Sequence, residues 1–310
     1  MYHHSMNYDK IRNNPTQHTR LTSLTVEEFD ALLPVFERYW IKYYRYHTLE
    51  GKKRKVPNLN PGKDTRTLPT VSEKLFFLLS YLKNYPLQEF QAASFDISQG
   101  KVSQWVKVLH PLLQESLKQL GALPERQGEA VASVLAKYDG EAFNMDGADR
   151  PVERSQDDDT QQDHYSGKQK DHTVKNNLMC RDNQQIVYLS ETYEGKVHDK
   201  KIADLESCCF PKGSRLRMDS GYQGYQPEGV MTLLPLKKPR KAELSKQEKK
   251  FNKWISKGRV VVEHAISGVK RCRIVKERCR SFNTRFRDQI MLTCTGLHNF
   301  RVSSPQRGYG

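Results

Sequence analysis

The chain reads as two architectures in series. An all-α block containing a helix-turn-helix comes first, followed by an α/β domain with a mixed sheet flanked by helices. Three observations predict this. Apolar residues recur at helical spacing as far as Leu112. Near Leu123-Pro124 the pattern changes to short β-like runs separated by a helical stretch, the signature of an α/β unit. Two of those runs also close alike, with Met-Asp leading into a glycine turn, at Asp146 and Asp219. A length of 310 residues suits about two domains of ordinary size.

Taken in order, residues 1–22 are polar and predict a loose leader. Thr25 opens a helix: Thr25 and Glu28 form a capping-box pair, and Phe29, Leu32, Leu33 and Phe36 follow at helical spacing, with Pro34 a possible kink. This N-terminal helical segment is taken as 1–50. The Pro/Gly/Asn-rich stretch 51–66, carrying Lys52-Lys53-Arg54-Lys55, reads as a linker. Then come a helix over Val71–Lys83, a short helix over Leu87–Phe95, a turn from Asp96 to Gly100, and a third helix capped by Ser98 with Val102, Trp105, Val106, Leu109 and Leu112 inward. Short helix, tight turn and amphipathic helix make a helix-turn-helix over 67–122. Its outward residues Gln99, Lys101, Ser103, Gln104 and Lys107 are candidate groove and phosphate contacts. An ordinary helical bundle with a polar face is the competing reading.

The second domain is placed at 135–303. Its predicted strands are Ala142–Asp146, His172–Cys180, Ile186–Glu191, Leu216–Asp219 and Val230–Leu236, with a helix around Asp199–Cys208 between the third and fourth. The acidic segment 153–163 reads as an exposed loop.

Lys+Arg number 51 against 36 Asp+Glu, a net charge of +15. From Lys237 to Arg280 sixteen Lys+Arg meet four Glu, so this stretch holds +12 of it. Apolar residues interleave there (Phe251, Trp254, Ile255, Ile266), so the segment packs one face and shows a cationic one. Phosphate is the usual partner of such a surface. A hydrophobic content of 36% excludes wholesale disorder. The longest apolar run, Leu75–Leu82, is too short to span a membrane, and the polar start lacks the apolar core of a secretion signal. None of the six cysteines forms a Cys-x-x-Cys pair, which argues against a zinc ribbon or redox motif and for a reduced, cytoplasmic setting.

Asp146 and Asp219 each close a predicted strand, on the sheet edge where active sites are built. If the strands are neighbours, the carboxylates converge and repel, and Mg²⁺ or Mn²⁺ relieves the repulsion. A third element is Arg259-Val-Val-Val-Glu263 with Lys270. As a helix it places Arg259, Glu263 and Lys270 within one arc of a largely buried element. The valine run favours a strand, on which Arg259 and Glu263 also share a face. His198 and His264 read as structural rather than as ligands.

These residues resemble the DDE transposases. The chain is most similar to the insertion-sequence-five group of bacterial transposases and the related Harbinger elements. The resemblance is carried by Asp146-Gly, by Asp219 in M-D-S-G-Y, and by the R-(3)-E-(6)-K spacing of Arg259, Glu263 and Lys270. It extends to Tyr165-Ser-Gly-Lys168-Gln-Lys170-Asp-His172-Thr-Val-Lys175, to E-G-K-V-His198-Asp199, and to the Leu24–Pro34 opening, together covering roughly 20–305. One departure stands out: the family's tyrosine three residues before the arginine is Ser256 here.

The resemblance implies an RNase H-like fold, with Asp146 on the first strand, Asp219 on the fourth and Glu263 on a later helix. It implies two Mg²⁺ or Mn²⁺ ions held by these three acids, and Arg259 and Lys270 on flanking phosphates. Lys168, Lys170 and Lys175, alternating on a strand, would line the DNA channel. The function implied is a bacterial, nucleoid-associated transposase that binds terminal inverted repeats and joins 3′ ends to target DNA, as a homodimer on DNA and without a membrane. A transposase-derived DNA-binding protein without chemistry and a junction nuclease of the same fold are the alternatives.

Overall fold

The structure is a computed structural model and describes residues 6–61, 67–236 and 243–305. It divides into two compact units: Met1–Ala122 with Arg271–Ile274, and Leu123–Lys270 with Val275–Gly310. No helix of the described residues is long and apolar enough to cross a membrane.

The first unit is all helix, with α1 (Tyr8–Arg12), α2 (Pro15–Thr22), α3 (Val26–Tyr46), α4 (Val71–Asn84), α5 (Gln88–Phe95) and α6 (Gln99–Gln119). The described part of 1–22 is not loose. Asn7 and Asn14 cap α1 and α2, and Tyr8 and His18 are buried against Phe29 at ring separations of 5.0 and 5.2 Å. Two short amphipathic helices carry too few apolar residues to show a period, yet each supplies one aromatic anchor. The Thr25–Glu28 capping box forms as expected, and α3 runs on past Pro34.

Over 51–61 the expected linker instead folds back on α3. Arg54 N donates to the Tyr46 carbonyl, Asn58 N to that of Arg45, and the Trp40 indole to that of Pro61; residues 62–66 lie outside the described residues. The core contains Trp40 and Trp105 with Lys74 between them. The Lys74 ammonium sits 4.8 and 5.6 Å from their rings, 2.6 Å from the Leu68 carbonyl, and is pushed down to about 8 by burial. It thus caps the chain entering α4, a role that its place at the edge of an apolar run does not reveal.

The second unit holds α7 (Val131–Leu135), β1 (Ala142–Pro151), α8 (Asp158–His164), β2 (Tyr165–Ser166), β3 (Asp171–Cys180), β4 (Ile186–Leu189), β5 (Tyr193–Glu194), α9 (Asp199–Glu206), β6 (Arg215–Arg217), β7 (Met231–Leu233), α10 (Lys246–Val269) and α12 (Thr284–Val302), while α11 (Arg273–Lys276) divides between the units after Ile274. The sheet order is β2-β3-β1-β6-β7, with β4 and β5 also on β3. β1 pairs antiparallel with β3 and parallel with β6, which pairs parallel with β7. The mixed sheet is therefore as expected, with β1 and β3 of ten residues each and shorter strands around them. The 153–163 segment is not all loop, because Asp157 caps α8 by accepting from Thr160 N.

Along β1, Phe143 and Met145 join a core with Leu216, Met218 and Tyr222, while Asn144 faces α10. The valine run that left α10 open as strand or helix is helical: Ser245 and Glu248 form a capping box, and Ile255, Gly258, Val262, Ala265 and Val269 make the buried stripe. Only that stripe is buried, not most of the circumference, so the exposed side keeps Lys246, Lys250, Lys253 and Lys257 in a row. Of the expected basic stretch, 237–242 lie outside the described residues.

Gly258 sets how closely α10 approaches the sheet. A Cβ there would lie 2.3 Å from Asn144 Oδ1 and 2.6 Å from Arg217 Cδ. Gly258→Ala, which in an exposed helix stabilises by about 0.5–1 kcal/mol, is expected here to cost about 1–3 kcal/mol by overpacking. Urea unfolding checks this; a variant as stable as the parent would refute the close approach.

Candidate active site

The register of two parallel strands brings the first two acids together. The last paired residues of β1 and β6 are Asn144 and Arg217. Asp146 and Asp219 each lie two residues further on. A period of two returns both side chains to the face carrying Asn144 and Arg217, on strands about 4.8 Å apart. The side-chain oxygen of Asp146 accepts from Gly147 N at 2.8 Å, and that of Asp219 accepts from Gly221 N at 2.7 Å. Burial pushes the Asp146 carboxyl up to about 6; the charges of Asp219 and Asp199 add to the rise, while the Gly147 N–H and Arg259 oppose it.

The expected glycine turn after Asp146 is a correction. β1 continues through Gly147 to Pro151, held by β3 in the register Gly147↔Asn177. Only its parallel partner ends near Asp146, which opens the sheet on that side. After Asp219 the chain does turn, into a 3-10 turn over Ser220–Tyr222 capped by Asp219 itself.

Glu263 stands elsewhere than a buried third corner. Its side chain is 54% exposed and lies 3.5 Å from Arg259 one turn earlier. Against the burial that raises the Asp146 carboxyl, the Arg259 charge is a minor opposing influence. Among the described residues no three His, Cys, Asp or Glu side chains stand together as a group able to hold a metal ion. The donor chemistry nevertheless suits a hard cation: carboxylate oxygens on β1 and just past the end of β6, that of Asp146 raised chiefly by burial and further by neighbouring negative charge.

Lys270 does not share an open arc with Glu263. It caps the end of α10 and donates to the Asp149 carbonyl at 2.8 Å, with burial lowering its pKa. The expected lysine row also separates. Lys168 and Lys170 lie in the turn between β2 and β3, Lys170 with φ at 54°. Lys175 is buried on β3, 3.2 Å from Asp199 and 3.6 Å from Asp149. A buried lysine spent on two largely covered acids does not face a DNA channel. Sequence reasoning gave Asp149 and Asp199 no role. Asp199 was visible only inside a motif string, and nothing local signals that α9 begins against β1.

In the first unit, α5, its left-handed end at Asp96 (φ 52°) and α6 form the helix-turn-helix. Ser98 sits at the N-cap with an extended backbone, but its hydroxyl makes no cap bond, correcting that expectation. Gln99 and Lys107 are exposed; Gln99 bonds Gln88, Lys101 donates to Gln104, and Gln104 donates to Glu50 at 2.8 Å. Gln104→Ala is expected to weaken binding to a specific DNA end more than binding to random duplex, by about 1–3 kcal/mol of discrimination. Competition binding measures it; an equal loss on both would demote Gln104 to a phosphate contact.

Two family models match this chain: one described as "DDE superfamily endonuclease" over residues 145–299, and one described as "Helix-turn-helix of DDE superfamily endonuclease" over 66–119. The chain is 24% identical over 262 residues to the "Probable transposase for insertion sequence element IS702" of Microchaete diplosiphon, covering 82% of this chain and 86% of that one. No solved structure matches.

Proposed function

Because the chain belongs to the DDE superfamily of endonucleases, we propose that it is a transposase, of the insertion-sequence-five and Harbinger-like group, that cuts DNA at the ends of its element and joins the 3′ ends to a target. The observation that carries this reading is the equal offset of Asp146 and Asp219 beyond the last β1–β6 pair. The similarity to a transposase-named protein over most of both chains supports it. The sheet path from β4 through β3, β1 and β6 to β7, antiparallel on one side of β1 and parallel on the other, supports an RNase H-like domain, placed at 135–303. The domain at 67–122 reads the terminal repeat through Gln99, Lys101, Gln104 and Lys107.

Asp146, Asp219 and Glu263 form the proposed carboxylate set for two Mg²⁺ or Mn²⁺ ions, Glu263 being assigned on its pairing with Arg259. Once bound, such ions activate the attacking hydroxyl and stabilise the leaving oxygen of an in-line displacement at phosphorus. Arg259 offsets the Asp146 charge and orients a flanking phosphate. Lys168 and Lys170 contact the backbone from their turn. Lys270 ties the end of α10 to β1 and so fixes where Arg259 stands. Joining two ends calls for two active sites, hence a homodimer on DNA, working at the bacterial nucleoid.

The exposure of Glu263 favours a second reading, a transposase-derived DNA-binding protein without chemistry. The two are separated by incubating a labelled end fragment, recognised from inverted repeats flanking the gene, with protein and Mg²⁺. Nicking at the end that vanishes in Asp146→Ala is expected. End-selective binding without cleavage in Mg²⁺ or Mn²⁺ would establish the second reading instead.

A further inference from the structure

Residues 46–54 fold into a small hairpin at the end of α3. His47 bridges Lys53 antiparallel, Arg54 N donates to the Tyr46 carbonyl at 2.7 Å, and Thr48 N donates to that of Lys52 at 2.9 Å. Gly51 N donates to the Thr48 carbonyl at 3.0 Å, closing a turn that the chain leaves through Gly51 at a φ of 78°. A left-handed residue straight after a tight turn is what a three-residue hairpin tip requires, and glycine adopts it without strain. Arg54 anchors the base. Its Nε donates to the Tyr44 and His47 carbonyls at 3.2 and 3.0 Å, and its guanidinium stacks 4.7 Å from the centre of the Tyr44 ring.

Of the four cations in Lys52-Lys53-Arg54-Lys55, Arg54 is thus spent on the protein itself. Lys52, Lys53 and Lys55 are exposed, and none of them forms an ion pair among the described residues. The hairpin tip meets the second helix of the helix-turn-helix. Glu50 accepts from Gln104 Nε2 at 2.8 Å, and Gln104 Oε1 accepts from Lys101 at 2.8 Å. The three lysines therefore stand beside the outward face of α6, within a few residues of that contact. A major groove is about 12 Å wide. A loop held against a helix seated in such a groove meets the groove wall, where the phosphates are. Three unpaired cations crowded on one short loop repel one another, and a polyanion relieves that repulsion.

We propose that this hairpin is a second DNA-binding element, a wing whose Lys52, Lys53 and Lys55 bind backbone phosphates on one flank of the sequence that α6 reads. The inference rests on the reading of α6 as the helix that meets DNA. The matched helix-turn-helix model begins at residue 66, so the wing lies outside it. Phosphate contacts carry no base information. The wing therefore adds affinity and lengthens the footprint, while selectivity stays with α6. It also gives the lysine cluster a built support, with Gly51 turning the tip and Arg54 fixing the base.

The test uses the full-length protein and the labelled end fragment without divalent metal, so that binding is read apart from cleavage. Wild type is compared with a variant carrying Lys52→Gln, Lys53→Gln and Lys55→Gln together. These side chains are exposed, so the variant should keep the circular dichroism of the parent. It should bind the end fragment and random duplex more weakly by a similar factor, about tenfold or more at about 50 mM salt. Its plot of log affinity against log salt should be shallower by about 2–3, one phosphate per lysine. Hydroxyl-radical footprinting should show protection lost on one flank and kept over the site of α6. A charge control with Lys246→Gln, Lys250→Gln and Lys253→Gln on α10 should leave that flank protected. A flank still protected in the wing variant, or lost in the control, overturns the wing alone. A wild-type protein that protects no part of the end fragment overturns the reading of α6 together with it.

Discussion

Asp146→Asn is expected to make the metal-free protein more stable at pH 7.5 while abolishing DNA cleavage. The Asp146 carboxyl, ordinarily near 3.8, is pushed up to about 6, chiefly by burial. Between those values the folded state holds a proton that the unfolded chain has released. Folding stability therefore falls as pH rises from about 4 to 6, and the full penalty persists above 6. The difference between those values corresponds to about 3 kcal/mol. Asparagine keeps the acceptor for Gly147 N and removes the charge, so the variant should gain up to that amount at neutral pH and nothing near pH 3. Mn²⁺ should raise the melting temperature of wild type, because an ion that binds only the folded state stabilises it, and leave the variant unmoved. Removing one side of an ion clamp worth several kcal/mol should lower the cleavage rate roughly a thousandfold or more. Calorimetry across pH 3–8, with and without Mn²⁺, checks the first part and an end-nicking assay the second. A variant less stable than wild type at pH 7.5 would mean that Asp146 is ionised and satisfied by groups already in place.

Glu263→Gln should be the cleaner catalytic lesion. Its side chain is exposed and, among the described residues, pairs with Arg259, a surface contact worth well under 1 kcal/mol. Stability and affinity for the end fragment should therefore stay as they are. The amide keeps the shape but binds a hard cation poorly, so cleavage should fall by about two orders of magnitude or more if Glu263 completes the carboxylate set. The measurement is nicking at saturating DNA beside a binding isotherm for the same fragment. Retained cleavage would remove Glu263 from the set and leave Asp146 and Asp219 as the acids to consider. Loss of binding in parallel would make it part of the DNA surface.

The site was legible in unequal parts. Asp146 and Asp219 were readable because a Met-Asp step at the end of an apolar run marks a strand leaving the core, and the run itself predicts the strand. That β1 continues past Gly147 was not readable, since its continuation depends on β3 pairing with it from far along the chain. Arg259 and Glu263 could be assigned to one face under either local structure, but whether that face met the sheet could not. Gly258 decides it, by letting α10 lie against Asn144 and Arg217. The three lysines from 168 to 175 share a motif and looked like one row. A turn and a buried ion pair separate them, because Lys175 faces two acids drawn from β1 and α9.

What the sequence determined by itself is whatever rests on contacts a few residues apart: the capping box of α3, the helix-turn-helix, the change from a helical block to an α/β one, and a cationic balance that calls for phosphate. What only the tertiary structure decided is which acids share a pocket and which charges are spent inside the protein. Helical and strand periods bind a residue to near neighbours, whereas Asp199 meets Gly147 and Lys270 meets Asp149 across stretches of chain whose path is fixed only when the whole sheet closes.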